Sequence, residues 1–383
     1  MYYLGSIVTW FVRQRTNNLR QMIENPLDTQ WNTFRYLLST AADTEWGKQY
    51  DFDSIKTYED FKNRIPVQDY DSLKPFIDRI MEGEQNILWS TPVKWFAKSS
   101  GTTNDVSKFI PMTRESIEDC HFKAGIDVLT MFCNTYENTN IFSGKGLILG
   151  GSHQINQLNQ YSSYGDLSAV LLQNMSFFAQ RYRTPELSIA LMNDWEKKVE
   201  HLANATINEN VTNISGVPTW TIVLIKRLFE KTGKSTLKEI WPGLELYIHG
   251  GVSFTPYRDQ FKTLAGDSSV KFVETYNASE GFFAFQDNGE ETGMLLHTNA
   301  GILYEFIPQS DWHKEHPETL ILHEVKANEN YAMVISTNAG LWRYKIGDTV
   351  RFTSINPYRI VVSGRVKHFI NAFVEEVIVD NAD

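Results

Sequence analysis

The residues best equipped to handle a phosphate stand together in Ser99-Ser-Gly-Thr-Thr-Asn-Asp-Val-Ser-Lys108, directly after the apolar run Trp95-Phe-Ala. Backbone N–H groups and the hydroxyls of Ser99, Ser100, Thr102 and Thr103 can donate to phosphate oxygens. Gly101 lets the backbone approach closely, and Lys108 can neutralise charge. The same residue types also build ordinary solvated turns, so on this segment alone both readings stand. A Walker A loop is excluded, because Ser107-Lys108 lacks the Gly-Lys-Ser/Thr ending. The one such tripeptide, Gly233-Lys-Ser235, follows a helical run as a helix stop.

Two carboxylates stand in comparable places. Glu280, in Tyr276-Asn-Ala-Ser-Glu-Gly281, falls at the expected carboxyl end of a strand, where ligands gather in open α/β sheets. Magnesium takes one or two carboxylates together with phosphate oxygens, so a single glutamate there suits Mg-ATP, and a solvated turn glutamate suits the segment equally. Asp348, in Tyr344-Lys-Ile-Gly-Asp348, also follows a strand-like run; its carboxylate can accept both hydroxyls of a ribose, and Gly-Asp is equally good turn chemistry. His313 and His316 are three apart but lie in a charged loop between Trp312 and Pro317, which reads as solvated rather than as a metal site. No Gly-x-Ser-x-Gly elbow or His-Glu-x-x-His helix occurs, so a hydrolase is not indicated.

The elements that must position these groups read as layered α/β. From Trp31 to about Glu84 the pattern is helical, with Pro66 and Pro75 marking turns between short helices. Thr113 is expected to N-cap a helix whose face is Ile117, Cys120, Ala124, Val128 and Met131. Gly146-Leu-Ile-Leu-Gly-Gly, Leu244 to His249 and Lys271 to Tyr276 read as strands ending in glycine or polar residues, and Trp220 to Phe229 as a helix stopped by Gly233. Beyond Gly293 the helical period disappears. Met294 to Thr298, Ile302 to Ile307, Met333 to Thr337, Val350 to Thr353 and Ile360 to Ser363 then read as strands, so the chain starts as α/β and finishes rich in β.

Composition narrows the partners. With 42% hydrophobic and 13% aromatic residues, the 383-residue chain can bury a large core. The 46 acidic residues exceed the 36 basic ones, and no Lys/Arg block could track a phosphate backbone, which argues against nucleic acid. No apolar stretch is long enough to span a bilayer, and the apolar start meets Arg13 and Arg15 early, without a basic leader. Cys120 and Cys133 read as two buried thiols in a reducing compartment, so a cytoplasmic setting is expected.

The order and spacing of the segments resemble the firefly-luciferase-type adenylating superfamily, and more closely its Gretchen Hagen (auxin-responsive) family of acyl acid amido synthetases. The resemblance rests on Ser99-Ser-Gly-Thr-Thr with Lys108-Phe-Ile-Pro111, on Tyr276-Asn-Ala-Ser-Glu-Gly281 preceded by Ile240-Trp-Pro242 and Gly250-Gly-Val252, on Glu305-Phe-Ile-Pro308, and on Ala339-Gly-Leu-Trp-Arg-Tyr-Lys-Ile-Gly-Asp348. It runs roughly from Trp95 to Asp383. It implies a large N-terminal adenylation domain over 1–363, with layered α/β sheets and a β-rich, distorted-barrel part. Residues 364–383 would be a hinge leading to a small C-terminal domain outside this chain, with Arg365 in the hinge counted among the nucleotide-binding residues. By the same resemblance, Ser99, Ser100, Gly101, Thr102, Thr103 and Lys108 hold ATP phosphates, and Tyr276, with Asn277, Ala278 and Ser279, packs on adenine near Gly250 and Gly251. Glu280 binds Mg²⁺ and Asp348 holds the ribose. Asp105 and Val106 depart from the glycine and basic residues common in the family's loop.

The implied reaction activates a carboxylic acid as its acyl-adenylate and passes the acyl group to an amino acid amine. The acid is expected between Val217 and Trp220 on one side and the strand ends at Gly150, Gly151 and Gly250 on the other. An acid:CoA ligase shares the first half-reaction, and a non-catalytic nucleotide- or acid-binding homologue would share the site.

Overall fold

The computed structural model describes residues 9, 10, 12–99, 107–151, 155–287 and 293–366. Its strands are β1 (Trp95–Ser99), β2 (Lys108–Met112), β3 (Lys145–Ile148), β4 (Asn156–Gln157), β5 (Ser163–Gly165), β6 (Arg183–Thr184), β7 (Val211–Ser215) and β8 (Leu246–Gly250). They continue as β9 (Lys271–Ala278), β10 (Gly281–Phe285), β11 (Met294–Leu296), β12 (Ile302–Pro308), β13 (Asn330–Thr337), β14 (Tyr344–Ile355) and β15 (Tyr358–Arg365). A small sheet has the order β2-β1-β5-β4, and a long one the order β12-β13-β14-β15-β11-β10-β9-β8-β7-β3-β6.

The long sheet changes character at β9. From β9 through β8, β7 and β3 to β6 every pairing is parallel, and from β9 through β10 and β11 to β15, β14, β13 and β12 every pairing is antiparallel. Parallel strands need helical crossovers. The helices Trp195–Thr206, Pro218–Thr232 and Arg258–Ala265 supply one packed layer, burying Leu202, Ile225, Leu228 and Phe261 with Tyr247 of β8. Each such large side chain contributes about 1.5–3 kcal/mol by leaving water. The antiparallel half joins the N-terminal helices in a second cluster that includes Phe34, Leu37, Phe61, Ile77, Trp89, Tyr304 and Trp342. The α/β start and the β-rich finish are therefore both present, as two halves of one sheet.

Local signals explain several boundaries. Pro218 occupies the first turn of its helix, where its missing N–H costs nothing, and Gly233 closes that helix at φ +66°. Thr113 accepts from the Ser116 N–H at 3.0 Å as an N-cap, but the first turns, Ser116–Phe122, are π-helical before the α-helix Lys123–Thr135 begins. Ile117, Cys120, Ala124 and Val128 still face the core, and both cysteines are buried and free.

The structure corrects two positions. Pro75 does not mark a turn; it lies inside the helix Tyr70–Met81, where the Asp69/Ser72 capping box and the buried Leu73, Ile77 and Ile80 outweigh the lost backbone bond. Asp348 does not sit in a turn after a strand but within β14, where Gly347 at φ +91° and a register shift between Thr349 and Val350 mask the alternation. Gly364 and Arg365, expected in the hinge, are the last residues of β15.

Candidate active site

Parallel pairing brings three strand ends to one side of the sheet. Ser215 of β7 stands opposite Ile148 of β3 and Ile248 of β8, so Gly150-Gly151, Gly216-Val217 and Gly250-Gly251 leave the sheet next to one another. Carboxyl ends of parallel strands in an open sheet are where ligands collect. Gly250 is required there, because a Cβ on it would lie 2.4 Å from the Thr275 carbonyl oxygen. Asn277 Oδ1 sits 3.3 Å from the same point, which puts the Asn277 side chain beside Gly250. Gly251, at φ +83°, approaches a Val217 methyl group, placing Val217 at the strand ends as expected. The Trp220 ring instead packs on Trp195, with centroids 4.7 Å apart.

A second cluster forms where the β9–β10 turn meets β14, β15 and β2. Ala278 pairs with Gly281, so Ser279 and Glu280 form the turn itself. The Tyr276 hydroxyl donates to Asp348 Oδ2 at 2.8 Å. Arg365, opposite Asp348 on β15, reaches Asp348 Oδ1 with Nε at 3.1 Å. Burial and then the Asp348 charge push the Tyr276 phenol well above its ordinary value, so it stays a proton donor. Its ring, expected against adenine, packs on Phe283 at 4.8 Å.

Glu280 feels the same neighbours. Burial raises its carboxyl above the ordinary carboxylate value; Lys108 and Arg365 pull it back, while Asp348 pushes it further. Lys108 is held by tyrosines: Nζ lies 3.3 Å from Tyr344 Oη, 5.6 Å from the Tyr70 ring centroid and 5.8 Å from that of Tyr344. Lys108 also pairs with Ser99 as the last rung of the β1–β2 ladder, so the two strands end at either side of the polar segment. Ser100, Gly101, Thr102 and Thr103, together with Asp105 and Val106, lie outside the described residues.

Two supports were missed in the sequence. Lys198, buried, donates to the carbonyls of Gly151 at 2.6 Å and Gly150 at 3.3 Å, while the Ser168 hydroxyl accepts from the Gly151 N–H at 2.8 Å. Together they fix the end of β3. Burial lowers the Lys198 ammonium and Asp166 opposes this. Next to Lys197 in a charged helix, Lys198 reads as a solvated side chain; only its spacing from Val199 and Leu202 hinted otherwise. Second, Glu305 and Arg343, noted only as parts of motifs, form a buried pair with Nη2–Oε1 at 2.8 Å. Arg343 also donates to the carbonyls of Lys62 and Ile65 and to Thr319 Oγ1, which ties the start of β14 to the N-terminal helices. His313 and His316 are exposed, and no group of metal-ligating side chains forms among the described residues.

The chain is similar to known proteins in sequence and in fold. The GH3 family N-terminal domain matches residues 15–270, and the GH3 family central domain matches residues 295–365. The chain is 23% identical to indole-3-acetic acid-amido synthetase GH3.4 of Arabidopsis thaliana, over 88% of this chain and 66% of that protein. It is 26% identical to the jasmonoyl–L-amino acid synthetase JAR4 of Nicotiana attenuata, over 84% of this chain and 66% of that protein. The chain thus spans about two thirds of the length of these relatives. The solved structure of the acyl acid amido synthetase AtGH3.15 in complex with 2,4-DB superposes with a TM-score of 0.77 at 19% identity, covering 91% of this chain and 70% of that one. A 2-hydroxyisobutyryl-CoA ligase in complex with 2-HIB-AMP and CoA gives 0.57 at 14% identity, covering 88% and 68%, a likeness of fold. Since the first family domain alone spans more than half of the chain and the second follows it in order, the chain belongs to the GH3 family.

Proposed function

We propose that this chain carries the adenylating part of an ATP- and Mg²⁺-dependent acyl acid amido synthetase, one that joins a small carboxylic acid to the amine of an amino acid. The supporting observation is the convergence of Lys108, Glu280, Tyr276, Asp348 and Arg365 beside the carboxyl ends of the parallel strands. The names of its relatives point to the same chemistry. Residues 1–363 would form the adenylation domain and 364–383 the hinge segment. Two buried free thiols support a reducing, cytoplasmic setting.

In this reading the ATP phosphates lie against the loop from Ser99 to Lys108, and the two ribose hydroxyls bond to Asp348, whose oxygens are oriented by Tyr276 and Arg365. Adenine lies along Gly250, Gly251 and the Tyr276-Asn277-Ala278-Ser279 segment, and the acid lies near Val217 and Trp220. A carboxylate oxygen of the acid attacks the α-phosphorus, the bond to the bridging oxygen breaks, and pyrophosphate leaves. The amine then attacks the acyl carbon, loses a proton, and AMP departs. The protein's task is alignment of the attacking oxygen and stabilisation of charge on the phosphates by N–H groups, hydroxyls and Lys108. Glu280 suits a Mg²⁺ ligand, since its surroundings disfavour an unpaired carboxylate charge and a divalent cation would relieve that. Bound there with the phosphates, the ion would supply charge neutralisation.

The test is pyrophosphate release with Mg-ATP and a panel of acids and amino acids, with product mass as a second readout. We expect amide products, and a loss of about 100-fold in kcat/KM for Glu280→Gln. Unchanged turnover in that variant would remove the metal assignment, and a coenzyme A thioester without any amide would replace the reading with an acid:CoA ligase.

A further inference from the structure

A second cavity lies at the opposite end of the parallel strands. It occupies about 840 Å³ at the edge of the long sheet, where β6 pairs with β3, and is bordered by Phe142, Lys145, Phe177, Tyr182, Arg183 and Glu209. Lys145 opens β3 and Gly150 follows its other end, so at about 3.3 Å per residue this cavity is some 15 Å from the adenylation cleft.

Arg183 is the unusual member. It is 7% exposed, yet no carboxylate among the described residues pairs with it. One terminal nitrogen, Nη1, donates to the Pro185 carbonyl, while Nε has no partner. Neither nearby acid pairs with it: Glu209 is bound through Oε1 to Lys145 at 2.5 Å while its Oε2 has no partner, and Glu186, also on the lining, is exposed to solvent. Burial accordingly pushes the guanidinium below its ordinary value, with no opposing charge to restore it. Gly146, beside Arg183 in the parallel ladder, adds no side chain to that face. A buried guanidinium that lacks a carboxylate partner costs free energy until an anion supplies acceptors, and a guanidinium is a fork that can receive a carboxylate with two bonds. The rings of Phe142, Phe177 and Tyr182 on the same walls offer an apolar body a place to lie.

We propose that this cavity is a second ligand site, separate from the adenylation cleft, which takes a small aromatic carboxylate with its carboxyl group on Arg183 and its ring against Phe142 and Tyr182. Binding here needs no ATP.

Benzoate is the probe, titrated calorimetrically into the whole chain without nucleotide, with benzamide as its neutral counterpart. The expected result is a benzoate site weakened about tenfold or more in Arg183→Gln, and about tenfold weaker binding of benzamide to the unaltered protein. Arg183→Lys, which keeps the charge but loses the fork, should fall in between. A melting curve for each variant identifies any that does not fold, and the benzamide comparison requires no variant. Equal benzoate affinity in unaltered protein and folded Arg183→Gln, equal affinity for benzoate and benzamide, or no benzoate binding at all would each overturn the proposal. Benzoate held only in the adenylation cleft would give the first of these outcomes, so this site fails or stands independently of the proposed reaction.

Discussion

Replacing Glu305 by Gln tests the frame on which the nucleotide site is mounted. Glu305 and Arg343 have side chains 0% and 4% exposed, so the pair is out of reach of solvent screening. Oε1 accepts from Arg343 Nε at 3.0 Å, from Arg343 Nη2 at 2.8 Å and from Tyr58 Oη at 2.7 Å, and Oε2 accepts from Nε at 3.1 Å. Glutamine preserves the shape but has one acceptor oxygen, and it turns an NH₂ group toward donors. The guanidinium would keep the carbonyls of Lys62 and Ile65 and the Thr319 hydroxyl while losing its countercharge. Breaking a buried pair by removing one partner costs about 3–5 kcal/mol, and this case belongs in that range because no water can replace the lost acceptor. Because β14 starts immediately after Arg343 and carries Asp348, the KM for ATP should rise as well. Urea unfolding followed by fluorescence is suited to a chain with 10 tryptophans, with Trp342 adjoining the pair. In the double variant Glu305→Leu/Arg343→Met the unpaired charge disappears, so its loss should be smaller than the sum of the single losses by about 2 kcal/mol or more. Additive losses, or a Glu305→Gln protein within about 1 kcal/mol of the parent, would refute the reasoning.

Acid should destabilise the fold through two histidines. Burial pushes His121 down to about 4 and His249, with a further contribution from Arg258, down to about 3, against about 6.5 in the unfolded chain. The unfolded state therefore takes up protons that the fold refuses. The stability is complete above about pH 6.5, falls as pH falls toward these lowered values, and by pH 5 is reduced by about 2 kcal/mol per histidine. Urea midpoints across pH 5–8 measure this, and the slope should flatten in His121→Asn/His249→Gln; an identical slope would count against it. Gly250→Ala should destabilise by about 1–3 kcal/mol and weaken ATP binding, since the added carbon meets the Thr275 carbonyl, which the β8–β9 ladder holds in place. Unchanged melting and ATP affinity in that variant would show that the strand ends tolerate the extra volume.

What could be read in the sequence followed from local periodicity and punctuation. β8, β9 and the helix closed by Gly233 are short apolar patterns ending in glycine or polar residues, and they stand where those patterns put them. β2 and β10 were harder. The first contains Pro111, and the second is a fully buried run with no alternation, directly after a turn. Asp348 shows how a glycine and a bulge disguise a strand interior as a turn. Within the site, the spacing of Lys108, Glu280 and Asp348 was legible only as a set of motifs. Their shared field arises from contacts between residues far apart in sequence, which no window along the chain contains. Lys198 and the Glu305–Arg343 pair were illegible for the same reason, because burial of a charge is a property of the packed state.

Ser99 and Lys108 belong to the small sheet, whereas Tyr276 and Asp348 belong to the long one, with Glu280 in the turn between two of its strands. A nucleotide in the proposed pose would therefore be a rivet between two sheets, and only part of its grip would come from either one. The two sheets share one buried core, with Phe96 and Ile110 of the small one in the same cluster as Tyr276 and Tyr344 of the long one, so packing sets the distance between the two jaws. Discrimination between ATP, ADP and AMP would then depend on the spacing of the jaws as well as on the groups they carry, since a shorter phosphate chain fails to reach from the ribose end to the small sheet.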